Sequence, residues 1–102
     1  VTKRCDPNDR HAELLAVALR LAAADGWKTL THNAVATAAG VSQGLVVARL
    51  GTKQQMLRDV MRAAVRERVV RVVAEGLAAG DRQAKRADAG LRALAGEWVR
   101  SA

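Results

Sequence analysis

A single cysteine, Cys5, stands among the 102 residues, so no disulfide can close within the chain and its core alone must hold it. Proline occurs once, at position 7, and leaves the rest of the chain free of that helix breaker. Phenylalanine and tyrosine are absent, and Trp27 and Trp98 are the two aromatic residues. No apolar run approaches the ~18 residues that span a bilayer, and no charged-then-apolar leader with a cleavage site is visible. A cytoplasmic protein without a membrane partner is the expectation. Also missing are a nucleophile–base pair, paired carboxylates and a phosphate-binding glycine loop, which argues against an enzyme. His11 and His32 lack the Cys/His or Asp/Glu spacing that would complete a metal site, and no cofactor is implied.

What is present is half hydrophobic by count and rich in Ala, Leu, Val and Arg, a helix-forming composition too apolar for disorder. An all-α domain follows. Lys and Arg number 17 against 10 Asp and Glu, a formal charge of +7. That excess points to an anionic partner without saying which.

Glycines and capping residues divide the chain. Asp6 can cap a first helix with Pro7 at its first position, carrying Leu14, Leu15, Ala18, Leu19, Leu21 and Ala22 to a stop at Asp25-Gly26. Thr31 caps a short helix from His32 to Ala39, closed by Gly40. Ser42 caps another, from Gln43 to about Leu50, and Gly51 ends it. Thr52-Lys53-Gln54-Gln55 has the capping-box pattern and opens a long helix reaching Glu75 to Ala79, its end left open by Gly76. Asp81 then caps a last helix to about Arg100, with Gly90 and Gly96 inside it. The reading is five helices in one compact unit, residues 1–51 forming a head and 52–102 a connector and dimerisation region.

The stretch that carries chemistry runs from Thr31 to Lys53. Two short helices joined by Gly40-Val41-Ser42 make a helix-turn-helix, with Val35, Ala36 and Val41 packing between them. An αα-corner of any function also needs a glycine, a cap and apolar contacts, but the basic charge and the motif's length favour nucleic acid.

Residues from about Arg10 to Leu57 resemble the DNA-binding domain of tetracycline-repressor-type (TetR-family) transcriptional regulators. The resemblance rests on Gly26-Trp27, Thr31, Val35-Ala36, Ala39-Gly40-Val41-Ser42, Gly44, Val46-Val47, Leu50, Lys53 and Met56-Leu57. Val47 stands where the family usually has a phosphate-contacting tyrosine, and Leu50 where it usually has a core phenylalanine. In a recognition helix from Gln43 to Leu50, Val46 and Leu50 turn inward and leave Gln43, Gly44, Val47 and Ala48 for base contact. Gln43 can bond an adenine bidentately, Val47 can pack on a thymine methyl, and Gly44 lets the backbone approach. Asn33 is a second amide able to reach a base edge. The resemblance places Thr31, His32, Arg49 and Lys53 against phosphates, and the caps Ser42 and Thr52 complete that set. A cation at Lys53 opposes the helix dipole unless an anion lies there.

Residues 1–51 hold 6 basic and 4 acidic groups, and residues 52–102 hold 11 and 6, so most of the excess lies outside the reading head. Arg58, Arg62 and Arg66 recur every four residues, either as a solvated face or as an extension of the phosphate contact. In the last helix Ala84, Ala87, Leu91, Leu94 and Trp98 form a seam. With Val60, Met61, Val65, Val69, Val72 and Val73 it suggests a four-helix bundle between two copies, Leu91, Leu94 and Trp98 at its contact, unless the hairpin closes on itself.

TetR-family proteins usually carry a far larger ligand-binding domain, and the two helices expected here leave little room for a cavity of roughly 300 Å³. The expected function is a sequence-specific double-stranded DNA-binding regulator, bacterial or phage-encoded. It would be a homodimeric repressor at a palindromic operator, without a small-molecule inducer pocket, and a protein co-regulator could take the inducer's place. The alternative is an architectural or phage DNA-packaging protein using the same motif to recognise DNA. A third reading, a protein-binding module that has abandoned DNA, draws on Val47.

Overall fold

The computed structural model describes residues 7–101, and within them every regular element is a helix. Seven occur: α1 (Pro7–Asp25), α2 (His32–Ala39), α3 (Gln43–Leu50), α4 (Lys53–Glu67), α5 (Val70–Ala79), α6 (Arg82–Lys85) and α7 (Ala89–Ser101). The proposed Asp6 cap and Cys5 lie outside the described residues. No helix among them is long and apolar enough to cross a membrane.

The first three helices and the start of the fourth follow local signals. Thr31 Oγ1 accepts from the Ala34 N–H at 3.1 Å, Ser42 Oγ from Leu45 at 3.1 Å, and Thr52 Oγ1 from Gln55 at 3.2 Å. Gln55 Oε1 returns the bond from the Thr52 N–H at 3.0 Å, closing the capping box. Gly40 takes φ 71° and ψ 34° as the left-handed cap of α2, in open space, so conformation alone calls for glycine there. Leu14, Ala18 and Ala22 of α1 join Leu30, Val35, Val46, Leu50, Met56 and Val60 in the core.

The second half departs from expectation. The long helix ends at Glu67, where Arg68 turns left-handed at φ 58° and ψ 45°. The Arg68 and Val69 N–H groups bond back to Val65 and Ala64 carbonyls at 3.3 and 2.8 Å, and the chain restarts as α5. A left-handed L-residue costs roughly 1–2 kcal/mol. Turning back buries Val72, Val73 and Ala74 against Met61, Ala63 and Ala64, which outweighs that cost. Gly76, where the sequence left the helix end open, lies inside α5. A Cβ there would meet Ala84 Cβ at 2.9 Å and run into the Met61 side chain, so this glycine serves close packing.

The last helix is likewise divided. Asp81 caps a single turn, α6, through its Oδ2 and the Ala84 N–H at 3.0 Å. After Arg86–Asp88 a second cap opens α7, with Asp88 Oδ1 accepting from Leu91 N–H at 2.8 Å. Gly90 thus sits in the first turn of α7 and not in a helix interior. The α5–α7 pair is the most extensive helix packing of the chain, an intrachain hairpin. The seam splits accordingly: Ala84, Ala87, Leu91 and Ala95 are buried, whereas Leu94 and Trp98 are 48% and 43% exposed.

Long-range ties join the halves. Glu75 of α5 receives the Trp27 and Lys28 N–H groups at 2.8 and 2.9 Å, clamping the turn after α1. Arg71 Nη1 donates to the Ala24 carbonyl at 3.1 Å, and its guanidinium stands 5.8 Å from the Trp98 ring centroid. The buried side chains of both halves form one cluster.

Candidate nucleic-acid interface

Helix α3 has two distinct faces. Val46 and Leu50 are locked in the core, at 0% and 2% exposure, which fixes the rotation of the helix. Gln43, Gly44, Val47 and Ala48 face solvent, as the 3.6-residue period requires. The amides of Gln43 and Asn33 make no hydrogen bond among the described residues, so their donors and acceptors are uncommitted. A Cβ built on Gly44 meets nothing, so this is where an outside surface can come closest to the backbone. Among the described residues Val47 is one of three large apolar side chains left exposed, alongside Leu94 and Trp98. Leu45 is half-buried at the margin of the face.

Three helix N-termini flank it. The hydroxyls of Thr31, Ser42 and Thr52 each accept a backbone N–H at the start of α2, α3 and α4. Each O–H hydrogen is then free to donate outward, toward an oxygen of a bound anion. Lys53 in the first turn of α4 and Arg49 in the last turn of α3 are exposed and carry no ion pair. His32 is placed differently. Its Nε2 lies 2.8 Å from the Gly51 carbonyl, which can only accept, so Nε2 carries the proton. The ring thereby staples the start of α2 to the α3–α4 joint, and a contact with phosphate falls to Nδ1, which donates only from the protonated ring. Gly51 itself holds φ 79° and ψ −155°, and a Cβ would collide with the Gln55 side chain of the capping box.

Residues 14–60 match the family model of bacterial regulatory proteins of the tetR family. Residues 14–60 form a TetR-family helix-turn-helix domain. A TetR-family domain is a DNA-binding unit of transcriptional regulators. Compared with curated proteins and with solved structures, the chain has no significant match in either. Within the TetR-type head the family's usual tyrosine position is occupied by exposed Val47, and Leu50 fills the place of its usual phenylalanine inside the core.

The other expected residues separate. Leu91 is fully buried within its own chain, so it supports α7 from behind, while Leu94 and Trp98 lie on the surface. Of the α4 stripe, Arg62 reaches Asp59 at 4.0 Å and Arg66 reaches Glu67 at 3.9 Å, whereas Arg58 has no such partner. His11 is half-buried on α1, not on its exposed side. Among the described residues no group of His, Cys, Asp and Glu could hold a metal ion. Sequence reasoning missed three features: the Glu75 clamp, the bond from Trp27 Nε1–H to the Leu57 carbonyl at 2.9 Å, and a cleft of about 500 Å³ between α4 and α6. None of the three had a local signal, because each pairs residues about 25 to 50 positions apart.

Proposed function

We propose that the chain is a sequence-specific repressor that reads double-stranded DNA with α3. What carries this reading is the combination of a solvent face with uncommitted Gln43 and Asn33 amides and a buried face that fixes its orientation. Gln43 and Asn33 bond base edges in the major groove, Val47 packs on a thymine methyl, and Gly44 and Ala48 keep the approach close. Around them Thr31, Ser42, Thr52, His32, Arg49 and Lys53 hold phosphates and set the register. With valine in place of the usual tyrosine, that position contributes apolar contact instead of a hydroxyl bond.

Two copies act together, joined through Leu94 and Trp98, which lie four residues apart on the exposed side of α7. A twofold dimer presents two α3 helices to successive major grooves, so the operator is a palindrome with half-sites ~34 Å apart. Occupying it would block the polymerase. Selection of bound fragments from random duplex DNA, followed by footprinting, tests this reading. A recurrent dyad-symmetric site protected on one face supports it. Protection that spreads without a recurrent sequence would instead favour an architectural or packaging role.

A further inference from the structure

The cleft between α4 and α6 has a composition that the reading head does not explain. Its volume is about 500 Å³, and Arg58, Arg82 and Arg86 line it together with Gln54 and Gln83. Elsewhere in this half of the chain Arg62, Arg66 and Arg68 answer the carboxylates of Asp59, Glu67 and Asp88, and Arg71 answers a main-chain carbonyl. The exposed Arg92 side chain, away from the cleft, has no partner among the described residues. The side chains of Arg58, Arg82 and Arg86 make no hydrogen bond or ion pair among the described residues. Asp81 is the one carboxylate on the wall, and its Oδ2 is engaged with the Ala84 N–H. Three guanidiniums against one carboxylate leave a surplus of positive charge facing a shared space.

The arrangement is held from behind. Ala84 is fully buried and seated on Gly76, so the turn bearing Arg82, Gln83 and Arg86 has a fixed seat on α5, which itself packs on α4. Trp27, pinned through its indole N–H to Leu57, closes one side. Like charges held around one space repel, and an anion entering between them relieves that repulsion. A lone carboxylate offers two oxygens and satisfies one guanidinium fork. Several forks and two amides suit a group with more oxygens, as phosphoryl groups have.

We propose that this cleft is a phosphate-binding site, set beside the first turns of α4 and separate from the reading face of α3. Its occupant abuts Gln54, next to Lys53 and Thr52, so binding here couples directly to the phosphate contacts of the head. The phosphate comes either from the flank of the bound duplex or from a free phosphorylated small molecule. The first source rests on the proposed DNA reading; the second does not.

Two arms on the full chain separate the sources. In the first, inorganic pyrophosphate is titrated at constant ionic strength while the Trp27 indole N–H resonance is followed, assigned with Trp98→Phe. In the second, affinity for a non-specific duplex is measured against salt concentration. Both are repeated with Arg82→Ala/Arg86→Ala, and with Arg58→Gln as an independent variant on the opposite wall. A saturable shift of the Trp27 resonance, weakened about tenfold or more in both variants, with an unchanged salt slope, assigns the site to a free phosphorylated ligand. A salt slope reduced by about 1–2 in the double variant assigns it to the duplex flank. No saturable shift together with an unchanged slope overturns the proposal, as does a shift that survives both variants. Loss of sequence preference through Gln43→Ala leaves either arm readable, so failure of the site and failure of the DNA reading are told apart.

Discussion

The head from Thr31 to Lys53 and the segment from Arg68 to Ser101 are both short helices joined by tight turns, yet they are determined differently. In the head each helix begins at a hydroxyl that caps its own first turn, and α2 ends at a glycine that must be left-handed. Structure there is written within four or five residues. In the second segment the caps at Gly80, Asp81 and Asp88 are local as well, but the first helix break falls at an arginine, and Gly76, eight residues on, is helical. There the deciding interactions are tertiary: Val72 and Val73 folding back on α4, Ala84 seated on Gly76, Glu75 holding the α1 turn. A part that must present a fixed face to an outside surface is locally specified, and the part that supports it is specified by packing.

Substitutions can break or sharpen that contrast. The largest effect is expected for Leu91→Ala, which empties a fully buried position between α5 and α7 and should cost about 3 kcal/mol in a urea melt. If α7 packed only on a second copy, the loss would instead depend on protein concentration. Gly76→Ala comes next. Alanine is the better helix former by about 1 kcal/mol, but its Cβ would meet Ala84, so a net loss of about 1–2 kcal/mol is expected. A gain in stability would show that α6 is not seated there. Gly40→Ala meets no neighbour and is penalised only by its backbone angle, about 1 kcal/mol in the same melt, with α2 and α3 keeping their amide shifts.

The smallest effect is expected at Asp88. The Leu91 N–H, and after it the Arg68 side chain, hold its carboxyl below the ordinary value of 3.8. The folded chain therefore keeps this charge to lower pH than the unfolded chain does. Its contribution is fully present above the unfolded value and is lost as pH falls through the lowered one. Asp88→Asn should be slightly less stable than the parent at neutral pH, and the gap should narrow only as pH falls below 3.8 and through the lowered value. A gap that persists in acid would show that the effect does not come from the carboxylate's charge.

The same contrast explains what could be read in advance. Every boundary of α2 and α3, the capping box at Thr52 and the inward turn of Val46 and Leu50 are legible because caps, glycines and a 3.6-residue period act locally. So are the exposed positions of Gln43, Gly44, Val47 and Ala48. Arg68 carries no local mark of a helix end, and the Asp88 cap is hidden behind Asp81, which offers the same signal seven residues earlier. The 3-4 spacing of Leu91, Leu94 and Trp98 reads as one seam, yet turning α7 onto α5 buries Leu91 and Ala95 and leaves the other two outside. The charge of the second half is visible as a count, but only the fold gathers Arg58, Arg82 and Arg86 around one cleft.

The central claim is that the exposed face of α3, with Asn33 beside it, reads base sequence while the surrounding groups hold phosphates. It is tested most directly by Gln43→Ala combined with Asn33→Ala, measured on a selected site and on a random duplex at several salt concentrations. Each bidentate pairing of an amide with a base edge is worth about 1–3 kcal/mol of discrimination. The account predicts that preference for the selected site collapses, while non-specific affinity and its salt slope stay as in the parent chain. Preference that survives both substitutions would contradict it.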